Sequence, residues 1–430
     1  MRHVGAQIEH GLGRRLPRLA AGMAALPMSK SLALRGLLMG ASLRRSVSLV
    51  SGAPSGWKET GEDLKAGMAC ARALGASITI SGDSLLVEGG AMEGSDSLEV
   101  GESGFLGRVA PVCAVFSGVG EWEIAAKGSL LARESDPLWT CLERAGLDLE
   151  REGAWPSRIS RRSALGDLVL RDPCSSQELS GLLIGLAACG GGSVKVHGTI
   201  PSQPYLEMTK CLLGSFGFQV ASSDASVHVL GSAVDPEGPL LVEVDASAAA
   251  VALAAGCLAE VRVEVPAPQA GSSQGDWRIV QHLRSFGCLV EEEAGRLIAA
   301  GPPVCVADLD LSGEPDLAPV LAVVAAAAAS RGAGASRLRG LRTLDGKESA
   351  RGRVLCEGLR AVGFDCEWSG ESLEIDGEPD FSKRIELSAH EDHRMAFAFA
   401  LLGVIHPELW VAKGSCISKS WPGFWSSMGS

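Results

Sequence analysis

Short apolar runs of strand length alternate with longer apolar stretches of helix length along the chain. Each such run is followed by a polar turn and then by an apolar stretch of helical length; the clearest runs begin at Ser97, Leu168, Leu240, Ala307 and Ile385. This alternation predicts an α/β fold. Polar residues gather where each strand passes into its helix, and ligands usually bind at such places in α/β proteins.

The strand and helix pattern recurs about every 70 residues, a longer period than that of common solenoid repeats. Within a repeat, another strand, a second amphipathic helix and a further strand follow, as in residues 193–220. Six repeats reach back to Lys30, which predicts two domains of three repeats each. We expect residues 28–240 to form the first domain, residues 1–27 with 241–430 to form the second, and the active site to lie in the cleft between them.

The first repeat opens with a candidate anion site. Lys30, Ser31 and Arg35 stand at the start of an apolar stretch that predicts a helix through Leu43. Amide groups at a helix N-terminus carry partial positive charge, and an ammonium and a guanidinium beside them would hold a phosphate or a carboxylate. The alternative is a surface helix with two solvated cations.

Further cations recur at the same phase of the repeat, which favours anion binding over solvated surface charge. They are Arg108, Arg133, Lys347, Arg351, Arg394 and Lys419. The net charge of −12 disfavours a nucleic-acid partner, because tracking a phosphodiester backbone needs a basic surface. Any bound anion should therefore occupy a local cationic pocket.

Composition narrows the class of protein further. With 430 residues and 46% hydrophobic content, the chain can bury two sizeable cores. The longest apolar run, residues 317–329, contains Pro319 and falls short of the ~20 residues of a membrane span. Residues 1–25 carry several arginines, yet we interpret them as an ordinary N-terminal segment and expect a cytoplasmic protein without a membrane partner.

Cysteine and histidine usage predicts neither disulfides nor a metal site. The 12 cysteines are scattered without a Cys-x-x-Cys motif, which favours a reducing compartment. The close pair His390 and His393 has no cysteine nearby to complete a ligand set. We therefore expect no protein-ligated metal and no cofactor.

Ordered motifs along the chain resemble those of the 5-enolpyruvylshikimate-3-phosphate synthases, within the enolpyruvyl transferase family. The motifs are Pro-Met-Ser-Lys-Ser at 27–31 with Arg35, Gly-Glu-Ser-Gly at 101–104 with Arg108, Arg133, Ser-Ser-Gln at 175–177, Ser-Gln-Pro-Tyr at 202–205, Gln-Gly-Asp at 274–276, Glu-Pro-Asp-Leu-Ala at 314–318, Lys-Glu-Ser at 347–349 with Arg351, Asp-His-Arg-Met at 392–395 and Lys-Ser-Trp-Pro at 419–422. The resemblance implies two domains, each of three βαβαββ units, arranged as an inside-out α/β barrel.

The resemblance also implies the reaction. It is the transfer of the enolpyruvyl group of phosphoenolpyruvate to the 5-hydroxyl of shikimate 3-phosphate in the shikimate pathway, with release of phosphate and without a cofactor or metal. We also expect the protein to be a monomer. It assigns phosphoenolpyruvate to Lys30, Gly104, Arg133, Gln177, Arg351, Arg394 and Lys419. It assigns shikimate 3-phosphate to Lys30, Ser31, Arg35, Ser175, Ser176, Gln177, Ser202, Tyr205, Asp316 and Lys347. Both substrates are polyanions, which suits guanidinium and ammonium groups.

Addition to the enol ether needs a proton at the methylene carbon while the hydroxyl loses one, and elimination reverses both transfers. Asp316 is the candidate base for the hydroxyl, and Glu348 and Lys30 are the candidate proton carriers at the methylene. Lys30 would also offset charge in the tetrahedral intermediate. The alternative for Asp316 is a helix N-cap.

The chain departs from the family pattern at Met28, Phe105, Ala350 and Glu391. We expect the ring of Phe105 to narrow the phosphoenolpyruvate site and Glu391 to add negative charge near Arg394. Alternative functions are the related transferase that acts on a uridine-diphosphate sugar (UDP-N-acetylglucosamine), a non-catalytic anion-binding relative, and a nucleic-acid end-processing protein. The paired serines Ser175 and Ser176 favour shikimate 3-phosphate over the sugar nucleotide.

Overall fold

The computed structural model describes residues 14–15, 21–58, 60–92, 97–118, 120–133, 135–151 and 153–427. They divide into two compact units. The N-terminal unit is Met28–Glu243, and the C-terminal unit is Val244–Ser430 with the described part of Met1–Pro27. Our interpretation of residues 1–25 as an ordinary segment falls mostly on positions outside the described residues.

The first strand of the chain, β1 (Gly22–Met23), belongs to the C-terminal unit. The elements of the N-terminal unit follow it in chain order. They are α1 Lys30–Ser42, β2 Ser46–Ser51, α2 Glu62–Ala73, β3 Ser77–Ser81, β4 Ser84–Glu88, β5 Ser97–Gly101, α3 Gly104–Ser117, β6 Gly120–Ala126, α4 Asp136–Arg144, β7 Asp148–Arg151, β8 Pro156–Arg161, β9 Leu168–Arg171, α5 Ser176–Ala188, β10 Gly192–His197, α6 Gln203–Ser215, β11 Phe218–Ser223, β12 Ser226–Gly231 and β13 Leu240–Val242.

The C-terminal unit continues the same pattern. Its further elements are α7 Ala246–Ala259, β14 Val263–Pro266, α8 Ile279–Ser285, β15 Leu289–Glu293, β16 Arg296–Ala300, β17 Asp308–Asp310, α9 Ala318–Ala329, β18 Ser336–Arg339, α10 Arg351–Val362, β19 Asp365–Trp368, β20 Leu373–Asp376, β21 Ile385–Ser388, α11 His393–Ile405, β22 Leu409–Ala412 and α12 Phe424–Ser427. No helix among the described residues has both the length and the apolar character needed to cross a membrane.

Five sheets share one topology, which is a parallel strand pair extended by an antiparallel hairpin. The strand orders are β13-β2-β4-β3, β5-β6-β8-β7, β9-β10-β12-β11, β1-β14-β16-β15 and β17-β18-β20-β19. The α/β class is therefore confirmed. The repeat inferred from the apolar pattern was one strand short, because a single strand was assigned where a tight hairpin supplies two.

The sixth repeat differs from the other five. Its described strands are the parallel pair β21 and β22, and Arg14 forms an antiparallel bridge to Val411 of β22. A segment from near the start of the chain thus contributes to the last sheet of the C-terminal unit.

The strands that precede α1 and α7 in the sequence each pair with the sheet of the other helix's repeat. β1 precedes α1 in sequence but pairs with β14, whereas β13 precedes α7 but pairs with β2. Backbone hydrogen bonds join the two segments that link these strands to α1 and α7. The amide of Ser29 donates to the carbonyl of Glu243 at 2.7 Å, and the amide of Asp245 donates to the carbonyl of Pro27 at 2.9 Å. The start of α1 is therefore anchored to the end of its own unit.

Each unit is built around three mutually packed inner helices, α1, α3 and α5 in the N-terminal unit and α7, α9 and α11 in the C-terminal unit. These helices are apolar on nearly all sides, which is typical of a helix buried all round. α9, for example, is buried at every position. At Gly181 of α5 an added Cβ would lie 2.9 Å from the carbonyl oxygen of Arg108, so glycine permits the close approach of α5 to α3.

Candidate active site

The three inner helices of the N-terminal unit each begin with a serine N-cap. The hydroxyl oxygens of Ser29, Ser103 and Ser175 accept hydrogen bonds from the amides of Leu32, Leu106 and Gln177 at 3.4, 3.5 and 3.3 Å. One cap satisfies only one of the four amides that a helix start leaves without an intrahelical partner. The remaining amides suit anionic oxygen atoms.

Lys30, the first residue of α1, forms an ion pair with Asp63 in the first turn of α2. The distance from its Nζ atom to Oδ2 of Asp63 is 2.9 Å, and both side chains are mostly shielded from solvent. No partner of Lys30 was predicted from the sequence. The pair keeps the ammonium near the helix start, and an incoming phosphate would compete with Asp63 for it.

Arg35 lies one turn further into α1 and is 1% exposed. Its Nε donates to the hydroxyl of Thr209 at 2.8 Å, Nη1 to the carbonyl of Ser31 at 2.9 Å and Nη2 to the carbonyl of Tyr205 at 3.1 Å. Burial lowers its pKa to about 10, against the attraction of Tyr205, so the group stays charged at neutral pH. All three nitrogens thus bond within the protein, and Arg35 connects α1 to α6.

Phe105 covers the same guanidinium from α3. Its ring centroid lies 4.5 Å from Cζ of Arg35, a distance typical of a cation–π contact. We expected this ring to narrow the phosphoenolpyruvate site, but in the structure it stacks on Arg35 of α1. The aromatic residue therefore helps to hold a buried cation.

Gly104 lies beside Arg108 and beside two of the side chains that the resemblance assigns to phosphoenolpyruvate, Arg133 and Gln177. A Cβ atom at this position would lie 2.8 Å from Nη1 of Arg133, 3.0 Å from Nη1 of Arg108 and 3.5 Å from Oε1 of Gln177. Arg108 also donates to the carbonyl of Gly104 at 3.1 Å and to Gln177 Oε1 at 3.2 Å. The absent side chain lets two guanidinium groups approach the start of α3, where positive charge accumulates.

A buried network supports these arginines. Nε of Arg108 donates to the hydroxyl of Ser135 at 3.1 Å, and that hydroxyl donates to Oε1 of Glu178 at 3.0 Å. Burial raises the pKa of Glu178, while Arg108 opposes the shift. Arg133 donates to the hydroxyl of Ser129 at 2.9 Å. The network fixes α5 against α3 beneath the start of both helices.

The remaining assigned residues of this unit lie at the starts of α5 and α6. Ser176 is buried and Gln177 half-buried in the first turn of α5, while Ser202 is the N-cap residue of α6. Ser202 has a φ of 54°, in the left-handed region that non-glycine residues seldom adopt and that clusters at functional sites. Tyr205 is half-buried two residues into α6.

In the C-terminal unit, Arg351 is the centre of a second cluster. It is 1% exposed and bonds to three carboxylates, at 2.8 Å from Nε to Asp392 Oδ2, at 3.0 Å from Nη1 to Asp316 Oδ1, and from Nη2 to Glu348. Although burial opposes it, the attraction of these carboxylates raises the pKa of Arg351 above its usual value. Arg351 therefore organises the acids that the sequence assigned to catalysis.

Asp316 is held by further cations. Its Oδ2 lies 3.0 Å from Nη2 of Arg394, and its Oδ1 lies 3.5 Å from Nζ of Lys347. Burial favours the neutral acid, but the attraction of Arg394, Lys347 and Arg351 outweighs it and holds the pKa of Asp316 well below its usual range. Burial lowers the pKa of Lys347, against the attraction of Asp316. Asp316 is thus ionised in this state and compensates three cations.

Lys419 is half-buried at the end of a short 3-10 turn, Gly414–Lys419. Its Nζ donates to the carbonyl of Glu391 at 3.4 Å, next to Asp392, the N-cap of α11. The exposed carboxylate of Glu391 instead lies 3.5 Å from Nζ of Lys413. The extra acid at position 391 therefore has a surface partner, and its backbone positions Lys419.

Glu348, Asp392 and His393 bring potential metal-ligating atoms within 4.8 Å of one another. The guanidinium of Arg351 bonds to both carboxylates, at 2.8 and 3.1 Å to the two oxygens of Asp392. Arg351 already compensates the negative charge of these two acids, so Glu348, Asp392 and His393 do not fit a metal site.

Sequence reasoning missed Asp63, Thr209 and Ser247, and it placed Asp276 and Asp392 in motifs without giving them a role. The carboxylate of Asp392 caps α11 by accepting a hydrogen bond from the amide of Arg394 at 2.9 Å. It also accepts a hydrogen bond from the hydroxyl of Ser349 at 3.0 Å. Its place one residue before an apolar helical stretch was a usable N-cap signal. Asp63, Thr209 and Ser247 carry no local signal, because each meets its partner through packing of distant segments.

The fold is that of the enolpyruvyl transferases. The structure resembles EPSP synthase from Acinetobacter baumannii with a TM-score of 0.72 and 22% identity, over 95% of this chain and 96% of that one. It also resembles the enolpyruvyl transferase NikO from Streptomyces tendae with a TM-score of 0.68 and 16% identity, over 97% and 95% of the two chains.

Sequence relationships define the family more narrowly. A 3-phosphoshikimate 1-carboxyvinyltransferase from Syntrophobacter fumaroxidans is 32% identical over 343 residues, covering 77% of this chain and 79% of its own. Another from Shewanella sp. strain MR-7 is 29% identical over 418 residues, covering 94% and 95%. The family model for EPSP synthase (3-phosphoshikimate 1-carboxyvinyltransferase) matches residues 17–428, and the chain belongs to this family.

Proposed function

We propose that this protein transfers the enolpyruvyl group of phosphoenolpyruvate to the 5-hydroxyl of shikimate 3-phosphate, giving 5-enolpyruvylshikimate 3-phosphate and phosphate. The observation that carries the proposal is the content of the two clusters. One offers helix starts and cations for anionic groups, and the other offers carboxylates held by cations for proton transfer. Two polyanionic substrates and an addition–elimination reaction need both.

In the N-terminal unit, we assign the binding of phosphoenolpyruvate to the group around Gly104. Arg133 and Gln177 approach this glycine most closely among the assigned side chains, and guanidinium forks match phosphate and carboxylate geometry. Shikimate 3-phosphate is assigned to the serine-rich starts of the neighbouring helices, namely Ser31, Ser175, Ser176, Ser202 and Tyr205. Arg35 positions two members of this set by donating hydrogen bonds to the carbonyls of Ser31 and Tyr205.

Lys30 is assigned to both substrates and to catalysis. Its ammonium lies at the start of α1 and is paired with Asp63. When phosphate takes the place of Asp63, the ammonium stabilises the negative charge that develops as the tetrahedral intermediate forms.

In the C-terminal unit, Arg351, Arg394 and Lys419 are assigned to phosphoenolpyruvate, and Lys347 and Asp316 to shikimate 3-phosphate. Asp316 is the proposed base for the 5-hydroxyl, and Glu348 the proposed proton carrier at the methylene. Because its pKa is depressed by Arg394, Lys347 and Arg351, Asp316 is a weak base before substrates bind. Substrate anions that bind to those cations reduce the attraction between the cations and the Asp316 carboxylate. The pKa of Asp316 then rises, so the base is activated only when substrate is present.

We also propose that the protein acts as a monomer in the cytoplasm. The 12 cysteines all lie at described positions, where they form no disulfide, and most are buried. Free thiols are usual in a reducing compartment. Sedimentation of the purified protein, with and without a reducing agent, measures its mass in solution; a dimer under both conditions would contradict the monomer.

Phosphate release tests the proposed reaction. The purified protein is supplied with phosphoenolpyruvate and shikimate 3-phosphate, with reactions lacking either substrate as controls. We expect release that depends on both substrates. UDP-N-acetylglucosamine as the alternative acceptor should give no release. If phosphoenolpyruvate released phosphate with UDP-N-acetylglucosamine but not with shikimate 3-phosphate, the protein would be the related transferase that acts on the sugar nucleotide. No release with either acceptor would indicate a non-catalytic anion-binding protein.

A further inference from the structure

Two polar side chains of the C-terminal unit, Ser247 and Asp276, lie beside Arg394 and have no part in the proposed reaction. Ser247 is in the first turn of α7, whose N-cap is Asp245. Asp276 is 3% exposed in the 3-10 turn Gly275–Arg278 and belongs to the Gln-Gly-Asp motif at 274–276. The motif was noted in the sequence without a role.

The three side chains form a directed chain of hydrogen bonds. Nη2 of Arg394 donates to Oγ of Ser247 at 3.2 Å, and the Ser247 hydroxyl donates in turn to Oδ2 of Asp276. A hydroxyl has one proton, so donation to a carboxylate leaves its lone pairs for the guanidinium. Asp276 thereby sets the direction in which Ser247 faces Arg394.

We propose that Ser247 and Asp276 are positioning residues that hold Arg394 in place for phosphoenolpyruvate, an inference that rests on the proposed function. The Arg394 guanidinium also contacts Asp316, at 3.0 Å to Oδ2 and 3.2 Å to the backbone carbonyl. The proposed base exchanges partners when a substrate hydroxyl and anions arrive. Ser247 is an anchor that does not take part in that exchange, so the guanidinium keeps its orientation.

The protonation of Asp276 makes the anchor sensitive to pH. Burial raises the pKa of Asp276 to about 6, against the attraction of Arg394. The charged groups that face it are Arg394 at the start of α11, Asp316 in the turn before α9 and Asp245 at the N-cap of α7, and both acids add to the increase. Below this pH the acid carries its own proton, which it can donate to Ser247, and the orientation of the hydroxyl is then no longer fixed.

The first test is Ser247→Ala. Losing one hydrogen bond to a charged group should raise the KM for phosphoenolpyruvate about tenfold, with kcat and the KM for shikimate 3-phosphate changed less than about twofold. Ser247→Thr keeps the hydroxyl and should restore most of the KM. Ser285→Ala, an exposed serine of α8, is the matched control and should change neither constant. Thermal melting of every variant reports any loss of folding.

A double-mutant cycle with Arg394→Ala shows whether Ser247 acts through the guanidinium. Arg394→Ala should raise the KM for phosphoenolpyruvate by itself, and adding Ser247→Ala should then change it less than about twofold. If the two effects multiply, Ser247 does not act through Arg394 and the inference is wrong. If Arg394→Ala leaves this KM unchanged, the assignment of Arg394 to the substrate fails instead, and the positioning role fails with it.

Asp276→Asn separates positioning from a purely structural role. The ratio of its KM for phosphoenolpyruvate to that of the parent cancels the titration of the substrate itself. We expect a ratio of about three at pH 8 that falls towards one by pH 5, because the parent acid is then protonated as well. Asp310→Asn, at an exposed acid of the same unit, should give a ratio near one throughout. A ratio for Asp276→Asn that does not vary with pH would overturn the inference.

Discussion

The buried arginines of the two units are held by different kinds of partner. In the N-terminal unit, the buried groups Arg35 and Arg108 donate to hydroxyl, amide and carbonyl oxygens and lie against the rings of Phe105 and Trp155. In the C-terminal unit, Arg351 donates to three carboxylates. Neutral partners leave positive charge available to attract anions, whereas carboxylate partners compensate it and supply bases.

This difference separates two tasks. A cluster of cations with neutral partners changes little when an anion binds, so it serves as a rigid receptor. A cluster of ion pairs must rearrange when an anion binds, and that rearrangement alters the pKa of its acids. We therefore expect variants in the N-terminal unit to affect mainly binding and variants at the carboxylates to affect mainly turnover, with Lys30 taking part in both.

The largest effect is expected for Asp316→Ala. Loss of the proposed base should lower turnover by up to about 10⁴-fold, while both substrates bind within about tenfold of normal. Binding is preserved because Arg394 and Lys347 lose a competing carboxylate. Initial rates and calorimetric titration measure the two quantities, with Asp308→Ala, an exposed acid of the same unit, as the control. Near-normal turnover would mean that Asp316 only compensates cations, and the base would then be sought at Glu348.

Lys30→Met should have the next largest effect, and it should affect both binding and turnover. Removing the ammonium is expected to lower turnover about 10³-fold, because stabilisation of developing charge is lost. Asp63 is then left without its ammonium partner, so melting temperature is compared in parallel. Lys65→Met, at an exposed lysine of α2, is the control. If the variant kept even about a tenth of the parent rate, the loss would be far smaller than expected, and Lys30 would be removed from the mechanism.

Gly104→Ala tests the receptor directly. The added Cβ would contact the terminal atoms of Arg133 and Arg108, which can move, so α3 should remain intact while the guanidinium groups shift. We expect the KM for phosphoenolpyruvate to rise about tenfold, with little change for shikimate 3-phosphate. Gly214→Ala in α6 is the control, since beyond its chain neighbours and the backbone of its own helix no atom lies within 4 Å of the added Cβ. Equal increases for both substrates would argue against a separate phosphoenolpyruvate site at Gly104.

The smallest effect is expected at Phe105. Phe105→Leu keeps an apolar side chain but removes the ring over Arg35, so the link between α1 and α6 should loosen. The KM for shikimate 3-phosphate should rise about threefold, in line with the loss of a cation–π contact. Phe105→Tyr retains the ring and should behave like the parent. An equal change in both variants would show that the ring does not act through Arg35.

Features of the fold that depend on local sequence could be predicted, and those that depend on distant partners could not. Apolar periodicity and polar turns located the strands and the inner helices, including the helix that begins at Lys30. The exchange of β1 and β13 between repeats was not visible, because strand pairing over long separations leaves no local pattern. The resemblance implied the hairpin strand that the apolar pattern had missed.

The candidate site divides in the same way. Cations and serines at helix starts were predicted because N-terminal positions have a residue signature. Their partners were not: Asp63 meets Lys30, and Ser247 meets both Arg394 and Asp276, only through tertiary packing. The contact of the Phe105 ring with Arg35 was also not predicted, because it depends on the approach of α3 to α1 rather than on the residues beside it.

Reaction in deuterium oxide tests the proposed enolpyruvyl transfer most directly. Addition to phosphoenolpyruvate places a solvent hydrogen on the methylene carbon, and elimination then removes one of three hydrogens from the resulting methyl group. Mass spectrometry should find deuterium in the enolpyruvyl methylene of the product, and only when shikimate 3-phosphate is present. Phosphate release without a deuterated enol-ether product would contradict transfer by addition–elimination.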